Sequence, residues 1–103
     1  MKLLIYTATF IKIFFFQLVV ADELFIKGKE IFLNAGNCAT CHSLKDAGSN
    51  SMVGPNLNEI RPGIGRVKNA LINGIGVMPA YQGILSGDEI DAVSHYVSES
   101  ANN

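Results

Sequence analysis

The residues of this chain best equipped for chemistry are two cysteines and a histidine held within five positions, Cys38-Ala39-Thr40-Cys41-His42. In a helical or nearly helical turn these three stand at i, i+3 and i+4 and share one face. Two thiols so placed can add to the two vinyl groups along one edge of a porphyrin, and the imidazole then points beneath the ring at its iron. C-x-x-C-H is the attachment pattern of c-type haem, and histidine is a usual proximal ligand of haem iron. The expectation is one covalently held haem c with its iron: Cys38 and Cys41 as the thioether cysteines, His42 as an axial ligand. Three plainer uses compete. A redox-active disulfide wants a βαβ setting, and none is visible around the motif. A zinc site wants further ligands, but Cys38 and Cys41 are the only cysteines and His95 the only other histidine. A structural disulfide, or two buried thiols, is the third.

The second informative stretch is Gly74-Ile75-Gly76-Val77-Met78-Pro79-Ala80-Tyr81. Its two glycines allow close backbone approach, and Pro79 stiffens the chain just after Met78. Most methionines fill gaps in cores. In a haem protein, a methionine on a rigid loop far along the chain from His42 reads instead as the sixth iron ligand. Met52 is the rival, but it lies ten residues after His42 in a Ser/Asn-rich loop, poorly placed to reach the other haem face. His95 reads as a solvated surface histidine.

These groups need elements to position them. Residues 1–21 are set aside first. Lys2 gives a positive start, Leu3 to Val20 is nearly all apolar, and Val19 and Ala21 are small residues suited to a cleavage site. The stretch reads as a secretory signal peptide cut before Asp22. An uncleaved membrane anchor is the alternative, weakened by Lys12 in the middle of a run that barely reaches spanning length. Residues 22–103 then form one domain of 82 residues, in which loss of Lys2 and Lys12 leaves six basic against nine acidic side chains, a net of −3. So short a chain needs a staple for its core, and a covalent haem is one. Export fits the motif too, since two free cysteines outside the cytoplasm would otherwise tend to oxidise.

The spacing of Leu24, Phe25, Ile31, Phe32 and Ala35 predicts a helix over 22–35, with Asp22 and Glu23 in the first turn where its dipole favours them. Gly28 lies inside it, costs about 1 kcal/mol against alanine, and calls for a packing reason such as a second helix passing close. Residues 43–58 are polar and rich in Gly, Ser and Asn, hence a loop, ending in the stiff Gly54-Pro55-Asn56-Leu57. Arg61-Pro62-Gly63 is another break. A short helix follows over 66–73 with Val67, Ala70 and Leu71 as its apolar stripe, stopped at Gly74 by a left-handed cap. Ser86 and Glu89 form a capping box that opens a last helix to about Ser98, with Ile90, Val93, Tyr96 and Val97 on one stripe. There is no internal repeat, no strand alternation of useful length, no basic run suited to nucleic acid and no hydrolase or phosphate-binding motif.

Taken together, Cys38-Ala39-Thr40-Cys41-His42, Gly54-Pro55-Asn56-Leu57, Asn73 to Tyr81 and the terminal Tyr96-Val97 resemble the small monohaem class I cytochromes c, across the whole of 22–103. The chain is most similar to short bacterial members related to cytochrome c6 and to the haem domains of cbb3-type oxidase subunit III. The resemblance implies an all-α cytochrome c fold in which the first and last helices cross, Gly28 and Phe32 meeting Tyr96. It also implies that the Pro55 carbonyl accepts a hydrogen bond from His42 Nδ1–H, a contact that fixes the ring. The interval from Phe32 to Cys38 is two residues longer than in many relatives, so the chain is expected to bulge on entering the motif.

A fold does not give a function, but this site does. With both axial positions filled the iron has no open coordination site, so O₂ and peroxide chemistry are not expected. What remains is one-electron exchange. The chain is expected to be an electron-transfer protein rather than an enzyme, periplasmic and monomeric, passing electrons between a donor and an acceptor protein, without nucleic acid, and touching a membrane only if residues 1–21 are retained. The alternative is a small haem subunit of a membrane-associated dehydrogenase or oxidase. A haem sensor or weak peroxidase would need a labile Met78. Docking is expected through the loop from Gly76 to Tyr81 and the flank of the Cys41 turn. The acids of the last helix, Asp88, Glu89, Asp91 and Glu99, suggest a basic partner face unless they merely solvate that helix.

Overall fold

A computed structural model describes residues 19–103, so most of the expected signal peptide lies outside the described residues. The first helix, α1, occupies 19–33 of the described chain. It already includes residues 19–21, and it stops two residues short of the expected Ala35. The chain then turns through 34–36, where the Gly36 N–H reaches back to the Ile31 carbonyl (2.8 Å) and closes the helix end. Asn37, in the left-handed region (φ 52), completes the expected bulge and delivers a 3₁₀ turn at Cys38–Thr40.

The polar stretch after the motif is more ordered than its composition implies. Strands β1 (Ser43–Leu44) and β2 (Ser49–Asn50) form a small antiparallel ribbon pinned by Leu44, which is fully buried. Helix α2 (Leu57–Ile60) is a single turn. Asn56 caps it by accepting from the Asn58 N–H, and Arg61 ends it in the left-handed region (φ 45). Short two-residue strands and one-turn helices leave no periodicity to read, which is why 43–58 looks like featureless loop in sequence. Helix α3 (Ile64–Asn73) begins two residues earlier than its apolar stripe suggests. Helix α4 (Gly87–Ala101) opens on the expected capping box, with Ser86 Oγ accepting from the Glu89 N–H (3.2 Å) and the Glu89 carboxylate accepting from the Ser86 N–H (2.9 Å). It runs three residues beyond Ser98.

α4 is the spine. Ile90, Val93, Tyr96 and Val97 are all buried, as their spacing predicts, and α4 packs against both α2 and α3. It crosses α1 at Gly28, where an added Cβ would lie 2.5 Å from Tyr96 Cβ and against the Ala92 carbonyl. Only a residue without a side chain lets the two helices come this close. Tyr96, fully buried, then packs edge-on against Phe25 (ring centroids 4.9 Å apart) and Phe32 (5.7 Å), contacts worth roughly 0.5–1.5 kcal/mol each beyond their buried area. Its hydroxyl donates to Asp46 Oδ2 (2.7 Å), which also receives Lys29 Nζ (3.3 Å). That network ties α1, the β1–β2 turn and α4 together. Among the described residues no helix is long and apolar enough to cross a membrane.

Candidate haem site

The Cys38–His42 turn is built by short-range bonds. The N–H groups of Cys41 and His42 both donate to the Cys38 carbonyl (3.1 and 2.9 Å), and Thr40 Oγ1 donates to Asn37 Oδ1 (2.6 Å). The backbone is therefore tightly wound, and Cys38, Cys41 and His42 all face one cavity of about 510 Å³. His42 Nδ1 lies 2.8 Å from the Pro55 carbonyl oxygen. A carbonyl has no proton to give, so Nδ1 is the donor, which leaves Nε2 as the ring nitrogen on the side open to a metal. Gly54 lies flat against the ring: a Cβ there would be 2.7 Å from Cε1 and 2.9 Å from Nδ1. The Gly54 N–H donates to the Cys41 carbonyl (2.7 Å), so the segment that holds the imidazole is itself tied to the motif.

Met78 lines the same cavity, half-buried. Met52 does not line it and is 91% exposed, so of the two methionines weighed as ligands only Met78 is within the site. Met78 sits in a tight hairpin, where the Ile75 and Met78 N–H groups each donate to the other's carbonyl (3.1 and 2.9 Å). Gly74 leads into it with φ 71 and ψ 168. This corrects the expected left-handed cap: φ is positive, but ψ is extended, and the chain leaves α3 outward. A Cβ at Gly74 would lie 2.8 Å from the Ala80 nitrogen. His95 is half-buried on α4 and does not line the cavity.

The rest of the wall is mostly apolar, with Phe32 on α1, Leu57 on α2, Leu71 on α3 and Val93 and Val97 on α4, and with Asn37, Arg66 and Asn69 as its polar members. Arg66 and Tyr81 are two of the lining residues that sequence reasoning did not assign to the site. Arg66 is the only charged one. Tyr81 donates its hydroxyl to the Gly36 carbonyl (2.7 Å) while its N–H donates to the Leu71 carbonyl (2.6 Å). Burial first, then the two nearby cysteines, hold the Tyr81 hydroxyl above its ordinary 10.0. An aromatic three residues after Met78 was the only available signal for it.

The plainer uses of the motif fare worse. Cys38 and Cys41 are free, half-buried thiols. Burial pushes the Cys38 thiol up to about 11, a backbone hydrogen bond opposing and Cys41 adding to the rise. Redox-active C-x-x-C pairs instead have a lowered pKa that yields thiolate near neutral pH. Among the described residues no three His, Cys, Asp or Glu side chains gather to hold a metal such as zinc. What does fit is haem. The volume lies within the roughly 300–1,000 Å³ of cofactor pockets, the walls are mostly apolar, and two thiols stand beside an imidazole whose Nε2 side is open to a metal.

Comparison with known proteins agrees. Residues 24–97 match the family described as cytochrome C oxidase, cbb3-type, subunit III. The chain is 37% identical over 93 residues to cytochrome c6 of Cladophora glomerata, covering 82% of this chain and 97% of that one. It is also similar to the crystal structure of the c-type cytochrome SorU from Sinorhizobium meliloti, with 48% identity and a TM-score of 0.74 over 78% of this chain and 93% of that chain. Matches of this extent, over an all-α fold with crossed terminal helices, carry the family and its prosthetic group. The chain belongs to the c-type cytochromes, electron-transfer proteins with the cytochrome c fold and a covalently bound haem c iron.

Proposed function

We propose that the chain is an exported one-electron carrier in which Cys38 and Cys41 hold the haem by thioether bonds and His42 and Met78 are the axial ligands. The observation that supports this most is that one cavity gathers all four side chains while excluding Met52 and His95. Haem iron supplies the one-electron exchange between Fe(II) and Fe(III). The chain's own work is to hold it still. Pro55 and Gly54 fix the imidazole, the Ile75–Met78 hairpin presents the thioether, and the apolar wall keeps water away, which favours the less charged reduced state and raises the potential. In the native protein, intact mass should show one haem and loss of residues 1–21. Changing Cys38 and Cys41 together to Ser should abolish covalent haem retention after acid–organic extraction. Met78→Ala should lower the potential and let the reduced protein bind carbon monoxide, and Met52→Ala should do neither. Equal effects from the two methionine changes would sink the axial assignment.

Electron exchange is proposed to occur through the hairpin face, where Val77 is 92% exposed beside exposed Pro79 and Ala80. The four acids of α4 divide, with Asp88 and Glu99 exposed and in no salt bridge among the described residues. Glu89 is engaged in the capping box, Asp91 pairs with Lys68 (2.6 Å), and no acid lines the cavity. The contact is therefore read as apolar, and small enough, below about 1,200 Å², to come apart quickly. A second reading, a resident haem subunit of an oxidase or dehydrogenase, is supported by the family match to an oxidase subunit. Copurification of native protein from membranes with a stoichiometric partner would favour it. A rate of exchange with the native partner that is nearly flat with salt fits the apolar contact, and a steep fall would restore acidic docking.

A further inference from the structure

We infer that Tyr81 is a positioning residue whose hydroxyl holds the Met78 hairpin against the Cys38 segment, and so sets how readily the sixth position of the iron exchanges its ligand. The inference rests on Met78 being that ligand.

The hairpin closes on itself. Its two bonds, Ile75 N–H to the Met78 carbonyl and the reverse, lie within four residues and fasten it to nothing else. Its tip borders the cavity mouth and is otherwise open, with Ile75 68% and Val77 92% exposed. Beyond Gly74, which is bonded to Ala70 as the end of α3, residues 75–85 reach the rest of the described chain by hydrogen bonds at one residue. Tyr81 N–H joins the Leu71 carbonyl, and Tyr81 hydroxyl joins the Gly36 carbonyl. The second bond spans 45 residues and ends two residues before Cys38. It is the only side-chain hydrogen bond from 74–85 to any other part of the described chain. One hydroxyl thus couples the segment bearing the proposed sixth ligand to the segment that carries the haem attachment. Gly36 is buried, and among the described residues no other hydrogen bond to its carbonyl is made outside the helices and strands. The cost of losing the hydroxyl falls on the closed position of the hairpin, and the open population should rise about tenfold.

The test uses oxidised holoprotein and imidazole as the competing ligand, in wild type, Tyr81→Phe and Tyr96→Phe. Tyr81→Phe keeps the ring in the cavity wall and removes only the bond. It should bind imidazole about tenfold more tightly, the factor set by the lost hydrogen bond. It should also lose the red methionine–iron charge-transfer band at a urea concentration below that which melts the helices in far-ultraviolet circular dichroism. Tyr96→Phe loses a bond of equal length (2.7 Å, to Asp46) elsewhere in the fold. It should shift the helical melt and leave imidazole affinity as in the wild type. The inference is overturned if Tyr81→Phe binds imidazole like the wild type, if Tyr96→Phe gains as much, or if the band and the helices are lost together in both. A wild-type protein without the red band, spectrally the same as Met78→Ala, would instead overturn the Met78 assignment itself.

Discussion

The two sides of the cavity hold their proposed ligands in different ways. On the His42 side, support comes from residues 37–55: the wound turn on the Cys38 carbonyl, Gly54 flat on the ring, and Pro55 on Nδ1. Every partner lies within a few turns of chain. On the Met78 side, Met78 and Tyr81 pack against the core, but among the described residues the segment's hydrogen bonds to the rest of the chain run through Tyr81 alone, to Leu71 and to Gly36. The first side is over-determined by close neighbours. The second has two such bonds, both made by one residue, and only one of them reaches the motif segment. A ligand held by many short-range contacts resists displacement, because losing any one leaves the others. A ligand held by a single long-range tie can be released without unfolding the domain.

The comparison can be broken most directly at Gly54. In Gly54→Ala the new Cβ would press on the imidazole at 2.7–3.1 Å, and neither the backbone nor a ring bonded to Pro55 can easily give way. Overpacking of this kind costs about 1–3 kcal/mol, occasionally more. Low holoprotein yield and an early guanidinium midpoint are expected. A normal yield would mean the His42 side is not over-determined. Gly74→Ala is the matching change on the Met78 side. It combines a positive φ with a Cβ 2.8 Å from the Ala80 nitrogen, and the expected destabilisation is about 1–2 kcal/mol. Here the red charge-transfer band should suffer before the helical signal does. Equal loss of both signals would erase the distinction between the sides.

Smaller effects calibrate the pair. Ser86→Ala removes the α4 cap and should cost about 0.5–2 kcal/mol. It should lower the global midpoint without favouring either ligand, since it acts on the shared spine. The smallest effect belongs to Glu89. Hydrogen bonds from the Ser86 backbone, then its side chain, hold the Glu89 carboxyl below its ordinary 4.5. A depressed folded pKa gives stability that is present above about pH 4.5 and is lost as pH falls through the lower folded value. Glu89→Gln should therefore be less stable than wild type at neutral pH, with the gap closing on acidification. A gap that widens below pH 4.5 would reverse the sign.

By itself the sequence determined what depends on neighbouring residues. The i, i+3, i+4 spacing of Cys38, Cys41 and His42 requires only a tight local turn, and the capping box and the stripe of α4 follow from helical periodicity. Even the glycine inside α1 announced a close approach, though not which atoms of α4 would make it. The tertiary structure alone decided the rest. The preference for Met78 over Met52 was readable from the stiffness of the two loops, but the place Met78 takes in the cavity depends on how the chain after α3 returns to the body. That Tyr81 reaches Gly36 depends on the same return, and no spacing rule encodes a bond across 45 residues. The β1–β2 ribbon and α2 were illegible because two to four residues show no period. Of the acids of α4, Glu89 was already assigned to the cap in sequence, whereas only the fold paired Asp91 with Lys68 and left Asp88 and Glu99 exposed. A charge becomes a surface only when nothing nearby takes it up, and sequence alone does not say what is near.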